Sequence, residues 1–153
     1  DAQTAPVWEG TTNVLSLDVW RPIAKEKALE IYLADVSNRI KSAGSTSSSS
    51  PATFRGVLDA IAESCSRLAD WGHQLGRDVL SSELYARSFA FSLSRTYMLS
   101  LLVAHAHHTR DAIDVEVAVR FLARNPLTLP ALENAASRNA VSKTIAMQTS
   151  SKL

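Results

Sequence analysis

Apolar residues recur at helical spacing through most of the chain. Between residues 14 and 41 they fall mostly three and four positions apart, which is the spacing of one face of an α-helix. Pro22 interrupts this pattern. Because proline has no backbone N–H to donate to the preceding turn, we expect either a kink there or two helices, at 14–21 and 22–41. Residues 42–51 are rich in serine and have nothing to bury, so we predict a flexible linker.

Two longer helices are predicted after this linker. Residues 54–79 place their apolar side chains on one stripe, which is typical of an amphipathic helix with one buried face. Residues 84–103 are apolar around nearly the whole circumference, so we expect this helix at the centre of a bundle. Asp111 is the predicted N-cap of a further helix that ends before Asn125-Pro126, and the alanine-rich residues 128–142 predict a short final helix.

These elements together predict an all-α fold. No segment shows the period-two alternation, bounded by turn dipeptides, that indicates a β-strand. We therefore predict a helical bundle of about five to six helices over residues 14–142. Residues 1–13 precede the bundle, and residues 143–153 have too few apolar anchors to pack firmly, so we predict a flexible tail.

Composition narrows the classes of function. The chain of 153 residues is nearly neutral, with 16 basic against 15 acidic side chains, and it has no basic run of the kind that binds duplex DNA. Its 5 glycines do not form a phosphate-binding loop, which disfavours a self-contained nucleotide-binding domain. No apolar run reaches the roughly 18 residues of a membrane-spanning helix.

Histidines cluster near the predicted end of the central helix. His105 and His108 share a helical face, as do His107 and Asp111, so a zinc site can be drawn from these residue types. Histidines at the end of a helix also interact favourably with its last carbonyl groups and need no metal there. We therefore predict no metal site.

Glu9 is the main catalytic candidate. It lies between Trp8 and Gly10, before the first predicted helix. An apolar ring beside a carboxylate desolvates it and raises its pKa, which suits a general base, and a neighbouring glycine lets a substrate come close. A lone glutamate near the start of a chain is more often a solvated surface residue, so the surrounding sequence decides between the two interpretations.

The sequence around Glu9 reads Val7-Trp8-Glu9-Gly10-Thr11-Thr12-Asn13-Val14-Leu15-Ser16-Leu17-Asp18-Val19-Trp20-Arg21. This segment resembles the active-site segment of the acyl-CoA dehydrogenase superfamily, in which an aromatic-Glu-Gly-Thr/Ser motif opens a long C-terminal helix. The resemblance is greatest to the branch that contains the bacterial alkylation-response flavoproteins. Pro22 departs from the family pattern, because relatives continue the helix at that point.

The resemblance implies a set of roles. In the superfamily the motif glutamate removes the α-proton of an acyl-CoA while the β-hydrogen leaves as hydride to FAD, which makes Glu9 the implied catalytic base. Gly10 would border the substrate, and Thr12, Asn13 and Val14 would line the flavin. The superfamily's other helical domain and its β-domain hold most of the cofactor contacts and have no counterpart in this sequence.

The same resemblance implies which partners, substrate and cofactor the chain requires for activity. We expect the C-terminal helical domain of a longer flavoenzyme, with the remaining domains of that enzyme as partners and acyl-CoA as substrate. The isolated chain is expected to be inactive and to bind FAD too weakly to retain it. Because C-terminal helices build subunit interfaces in this superfamily, a homo-oligomer is also implied.

The chain ends in a targeting tripeptide. Ser151-Lys152-Leu153 is the C-terminal sequence that a peroxisomal import receptor binds. If Leu153 is the native terminus, we expect the protein in the peroxisomal matrix. The serine and threonine residues before it keep the tail accessible to a receptor.

Two other functions remain open from the sequence. The chain could be a non-catalytic helical module for assembly or protein interaction, derived or cleaved from such an enzyme. It could also be a DNA-associated domain of an alkylation-response-type flavoprotein, which its near-neutral charge disfavours.

Overall fold

A computed structural model describes residues 12–45, 51–75 and 79–127. These residues form five α-helices and no β-strand, which confirms the predicted all-α fold. The helices are α1 (Thr12–Glu26), α2 (Ala28–Ser45), α3 (Ala52–Leu75), α4 (Val79–Thr109) and α5 (Ala112–Arg124). The predicted final helix at 128–142 and the tail at 143–153 lie outside the described residues.

The break between the first two helices lies five positions later than the sequence indicated. Pro22 is inside α1, which continues to Glu26, so of the two alternatives the one that divides two helices at residues 21 and 22 is wrong. A proline removes one hydrogen bond from a helix, and here the neighbouring turns continue past it. The helix ends instead at Glu26, and Lys27, whose φ of 54° lies in the left-handed region, separates it from the next helix at Ala28.

The first four residues of the predicted linker are helical, and residues 46–50 lie outside the described residues. Residues 42–45 are the last turn of α2, although the serine content had assigned them to the linker. Ala43 in this turn is buried in the core, and this packing favours the helix over an unpaired coil. The next described residue after Ser45 is Pro51, whose carbonyl accepts a hydrogen bond from the Phe54 N–H at 3.0 Å.

The core lies between α3 and α4. The helix α3 buries the predicted apolar stripe at Phe54, Val57, Ile61, Cys65 and Leu68. The predicted extent of 54–79 is wrong, because α3 ends at Leu75 and Val79 is the first residue of α4. The helix α4 packs against each of the other four helices, which confirms its predicted central place. Within the described residues, none of these helices is both long and apolar enough to cross a membrane.

Buried polar side chains in this core are paired. The Ser64 Oγ of α3 lies 2.7 Å from the Thr96 Oγ1 of α4, and both residues are buried. The Tyr32 hydroxyl of α2 donates to the Leu93 carbonyl of α4 at 2.7 Å. Each pair joins two different helices, so the hydrogen bonds help to fix the register between them.

The last described helix begins as the sequence predicted. Asp111 is its N-cap, with Oδ1 accepting a hydrogen bond from the Ile113 N–H at 2.8 Å. Arg110, with φ of 58°, makes the sharp turn from α4. At the other end, the Asn125 N–H donates to the Phe121 carbonyl at 2.9 Å, so α5 ends before Pro126 as expected.

Candidate functional site

The predicted catalytic segment leads directly into α1. Glu9 and Gly10 lie outside the described residues, whereas Thr12, Asn13 and Val14 are the first three residues of the helix. Thr12 is exposed, and 49% of the Val14 surface is accessible to solvent. The candidate flavin-lining side chains of Thr12 and Val14 are therefore open to a partner at the start of α1.

The first turn of α1 is held by a local hydrogen bond. Ser16 is buried, and its Oγ donates to the Thr12 carbonyl at 2.6 Å. This hydrogen bond ties the Ser16 side chain to the first residue of α1.

Two adjoining cavities run along α1. The first, of about 180 Å³, separates α1 from α4 and is lined by Thr12, Leu15, Ser16, Val19, Ala90, Phe91 and Ser94. The second, of about 450 Å³, lies between α1, α2 and α4 and is lined by Val19, Pro22, Ile23, Ala28, Leu29, Tyr32, Leu93, Ser94 and Tyr97. Both share Val19 and Ser94. These cavities could not be predicted from the sequence because their walls meet only in the fold: Tyr32 and Leu93, for example, are 61 positions apart.

The hydroxyl groups of Tyr32, Ser94 and Tyr97, which line the second cavity, already make hydrogen bonds within the protein. The Tyr32 hydroxyl is bound to the Leu93 carbonyl, and burial, followed by the nearby Cys65, raises the pKa of Tyr32 well above its ordinary value. Burial alone raises the pKa of Cys65 to about 11. At neutral pH the Tyr32 hydroxyl therefore keeps its proton, which it donates to the Leu93 carbonyl, and the buried Cys65 thiol stays protonated.

Arg39 contacts Tyr97, one of the residues that line the second cavity. The Arg39 guanidinium binds Asp35 with Nε–Oδ2 and Nη2–Oδ2 distances of 3.0 and 2.9 Å, and it donates to the Tyr97 hydroxyl at 3.2 Å. It also lies 5.3 Å from the centroid of the Tyr97 ring. The hydrogen bonding of Arg39 to the Asp35 carboxylate is the largest cause of the raised pKa of Arg39. These contacts fix the orientation of Tyr97, which lines the cavity.

One of the histidines near the end of α4, His105, contacts α5. The His105 Nε2 lies 3.5 Å from the Asp114 Oδ2, which also accepts a hydrogen bond from the Thr109 Oγ1 at 2.6 Å. The pairing of His105 is therefore with α5 and not with His108. Among the described residues, no three histidine, cysteine, aspartate or glutamate side chains are grouped to hold a metal ion.

Comparison with known proteins shows which protein family the chain belongs to. Residues 27–151 match the family model "Acyl-CoA dehydrogenase 11 C-terminal domain-like". The chain is 32% identical over 130 residues to "Acyl-CoA dehydrogenase family member 11" of Caenorhabditis elegans, an alignment that covers 83% of this chain and 21% of that relative. No solved structure matches the chain. The resemblance to the acyl-CoA dehydrogenases is thus confirmed, and the chain belongs to the Acyl-CoA dehydrogenase 11 C-terminal domain-like family.

Proposed function

We propose that this chain is the C-terminal helical domain of a FAD-dependent enzyme that α,β-dehydrogenates an acyl-CoA, with Glu9 as the catalytic base. One observation carries the proposal: the Trp8-Glu9-Gly10 motif stands immediately before α1 in a chain of this family. The chain spans about a fifth of the length of the curated relative that it matches. The reaction therefore belongs to the full-length protein.

Each residue of the motif has a separate role in removing the α-proton. The Glu9 carboxylate takes the α-proton, and its own backbone N–H donates to the thioester carbonyl, which acidifies the α-carbon. The Trp8 ring keeps water from the carboxylate and thereby favours its action as a base near neutral pH. Gly10 leaves room for the thioester because it has no side chain. Bound FAD supplies the acceptor for the hydride that leaves the β-carbon.

The start of α1 fits the edge of a flavin site. Thr12 offers a hydroxyl and Val14 an apolar side chain, and both are exposed. Together with Asn13 they would line the flavin, whose rings carry polar edges and apolar faces. Most contacts to FAD would come from other parts of the full-length enzyme, so the isolated chain is expected neither to retain FAD nor to be active.

Substitution of the base tests this function. In the full-length enzyme, Glu9→Gln keeps the size and hydrogen bonding of the side chain and removes the base, so acyl-CoA oxidation should fall by about 10²–10⁴-fold. Glu26→Gln is the matched control, because Glu26 is exposed at the far end of α1 and makes the same change of charge. Unchanged oxidation by Glu9→Gln would refute the role of Glu9.

The location and assembly of the enzyme are part of the same proposal. Ser151-Lys152-Leu153 binds a peroxisomal import receptor and directs the enzyme to the peroxisomal matrix. Imaging a full-length fluorescent fusion with and without Leu153 tests this, because import that persists after the deletion contradicts it. A homo-oligomer, as in the superfamily, is checked by the mass of the full-length enzyme in solution.

A further inference from the structure

The cavity of about 450 Å³ lies beside the second half of α1. Val19, Pro22 and Ile23 line it from α1, and its other walls come from α2 and α4. Pro22 is ten residues beyond Thr12 along the chain, which is about 15 Å along a helix. The cavity is therefore separate from the start of α1 that follows Glu9, and the proposed dehydrogenation makes no use of it.

The walls of this cavity are mostly apolar. Aliphatic side chains from all three helices line it, and so do the neighbouring rings of Tyr32 and Tyr97, whose centroids are 5.9 Å apart. Such walls hold water poorly, because a buried water molecule needs about two to four polar partners. A cavity of this size, with an apolar lining and few polar groups, is typical of sites that bind small molecules.

One hydroxyl group at the cavity has a proton left to donate. Tyr32 and Ser94 donate theirs to backbone carbonyls of α4. The Tyr97 hydroxyl instead accepts a hydrogen bond from the Arg39 Nη2 at 3.2 Å, and no acceptor within the described part of the chain takes the Tyr97 proton. Because Arg39 is held by the Asp35 carboxylate, and hydrogen bonds in a chain polarise one another, the Tyr97 O–H is a strengthened donor.

We propose that this cavity binds a small, uncharged, mainly hydrocarbon molecule with one carbonyl group, and that the Tyr97 hydroxyl donates a hydrogen bond to the carbonyl oxygen. The apolar walls suit the hydrocarbon part. A charged ligand is disfavoured, because it would lose its hydration while the charge of Arg39 is already paired with Asp35. The bound molecule contacts α1, α2 and α4 together, so it stabilises the position of α1 on the bundle.

Two probes of the same shape test the hydrogen bond. Acetophenone has a carbonyl group, and α-methylstyrene has a CH₂ group in place of the carbonyl oxygen. The affinity of each probe for the full-length enzyme is measured by ligand-observed NMR titration. Tyr97→Phe keeps the ring and removes the hydroxyl, so it should weaken acetophenone binding about fivefold and change α-methylstyrene binding by less than about twofold.

A second tyrosine of the same helix provides the matched control. Tyr85 is also a partly buried residue of α4, but it does not line the cavity. Tyr85→Phe should therefore leave the affinities of both probes unchanged.

Filling the cavity tests where the probes bind. Ala28 lines the cavity, so the ring of Ala28→Phe takes up its space and should abolish the binding of both probes. Ala60→Phe is the matched control, because Ala60 is also a partly buried helical alanine but lines a different cavity, between α3 and α5. If Ala28→Phe fails to fold, Ser94→Phe gives an independent result, because Ser94 is an exposed residue that lines the same cavity.

The other outcomes contradict the proposal. Absence of saturable binding by both probes would show that the cavity takes no such ligand. Binding that survives Ala28→Phe and Ser94→Phe would place the probes elsewhere on the enzyme. Equal effects of Tyr97→Phe on the two probes would show that the Tyr97 hydroxyl donates no hydrogen bond to the ligand. Because these measurements need no turnover, their failure leaves the role of Glu9 untouched, and the failure of that role leaves the cavity untouched.

Discussion

Replacing Thr96 by valine tests how α3 is held against α4. Thr96 has no exposed surface and Ser64 is 3% exposed, and their hydroxyl oxygens are 2.7 Å apart. Valine keeps the shape of threonine and removes the hydroxyl, so Thr96→Val leaves the Ser64 hydroxyl buried without its partner. The free energy of unfolding should therefore decrease.

The expected magnitude follows from this burial. A buried polar group that loses its hydrogen-bond partner costs about 1–3 kcal/mol. The lower end applies if the Ser64 hydroxyl turns to the carbonyl four residues earlier, as serine in a helix can do. In a chain of this length, 1 kcal/mol corresponds to a decrease in Tm of about 2–4 °C.

A double-mutant cycle separates the hydrogen bond from packing. Ser64→Ala, Thr96→Val and the double variant are compared by denaturant unfolding followed by circular dichroism. Because the double variant removes both hydroxyls together, it should lose less stability than the sum of the single changes, with a coupling energy of about 1 kcal/mol. Strictly additive losses would refute the reasoning, since they would show that the two hydroxyls do not interact.

Three further changes have defined outcomes in denaturant unfolding. Lys27→Gly should raise the free energy of unfolding by up to about 1 kcal/mol, because glycine adopts the φ of 54° without strain. Asp111→Ala should lower it by about 0.5–2 kcal/mol, because the Ile113 N–H loses its acceptor at the start of α5. The wild-type chain should lose stability relative to Cys65→Ala as the pH rises from about 9 to about 11, because the folded thiol keeps its proton in that range while the unfolded thiol releases it.

Each of these changes has a control. Lys27→Ala keeps the Cβ and should give no gain, so equal stabilisation by alanine and glycine would contradict the backbone explanation. Asp111→Asn retains a capping acceptor and should restore most of the stability lost in Asp111→Ala. A constant difference between the wild type and Cys65→Ala across the alkaline range would show that burial does not raise the pKa of Cys65.

The parts of the fold that depend on local pattern were predictable from the sequence. The stripe of α3, the central place of α4 and the cap at Asp111 all follow from residues within one helix. The break at Lys27 could not be predicted, because lysine has no preference for positive φ and Pro22 was the stronger local signal. The last turn of α2 was missed because its helical state depends on the tertiary burial of Ala43.

In the candidate site too, features of consecutive residues could be predicted from the sequence, and features that depend on tertiary contacts could not. The Trp8-Glu9-Gly10 motif is a property of consecutive residues and could be identified from the sequence alone. The cavities beside α1 depend on contacts between α1, α2 and α4, which no local pattern contains. The structure adds the packing of α1 on α4, through Trp20 and Phe89, and this packing joins the helix that follows the motif to the bundle.

The central claim is that Glu9 removes the α-proton of an acyl-CoA, and α-hydrogen exchange measures that step most directly. An acyl-CoA analogue with sulfur in place of the β-carbon can lose an α-proton but has no β-hydrogen to transfer. We predict that the full-length enzyme exchanges the α-hydrogens of this analogue with solvent deuterium, and that Glu9→Gln slows the exchange by about 10²–10⁴-fold while Glu26→Gln does not. Exchange at the wild-type rate in Glu9→Gln would contradict the claim.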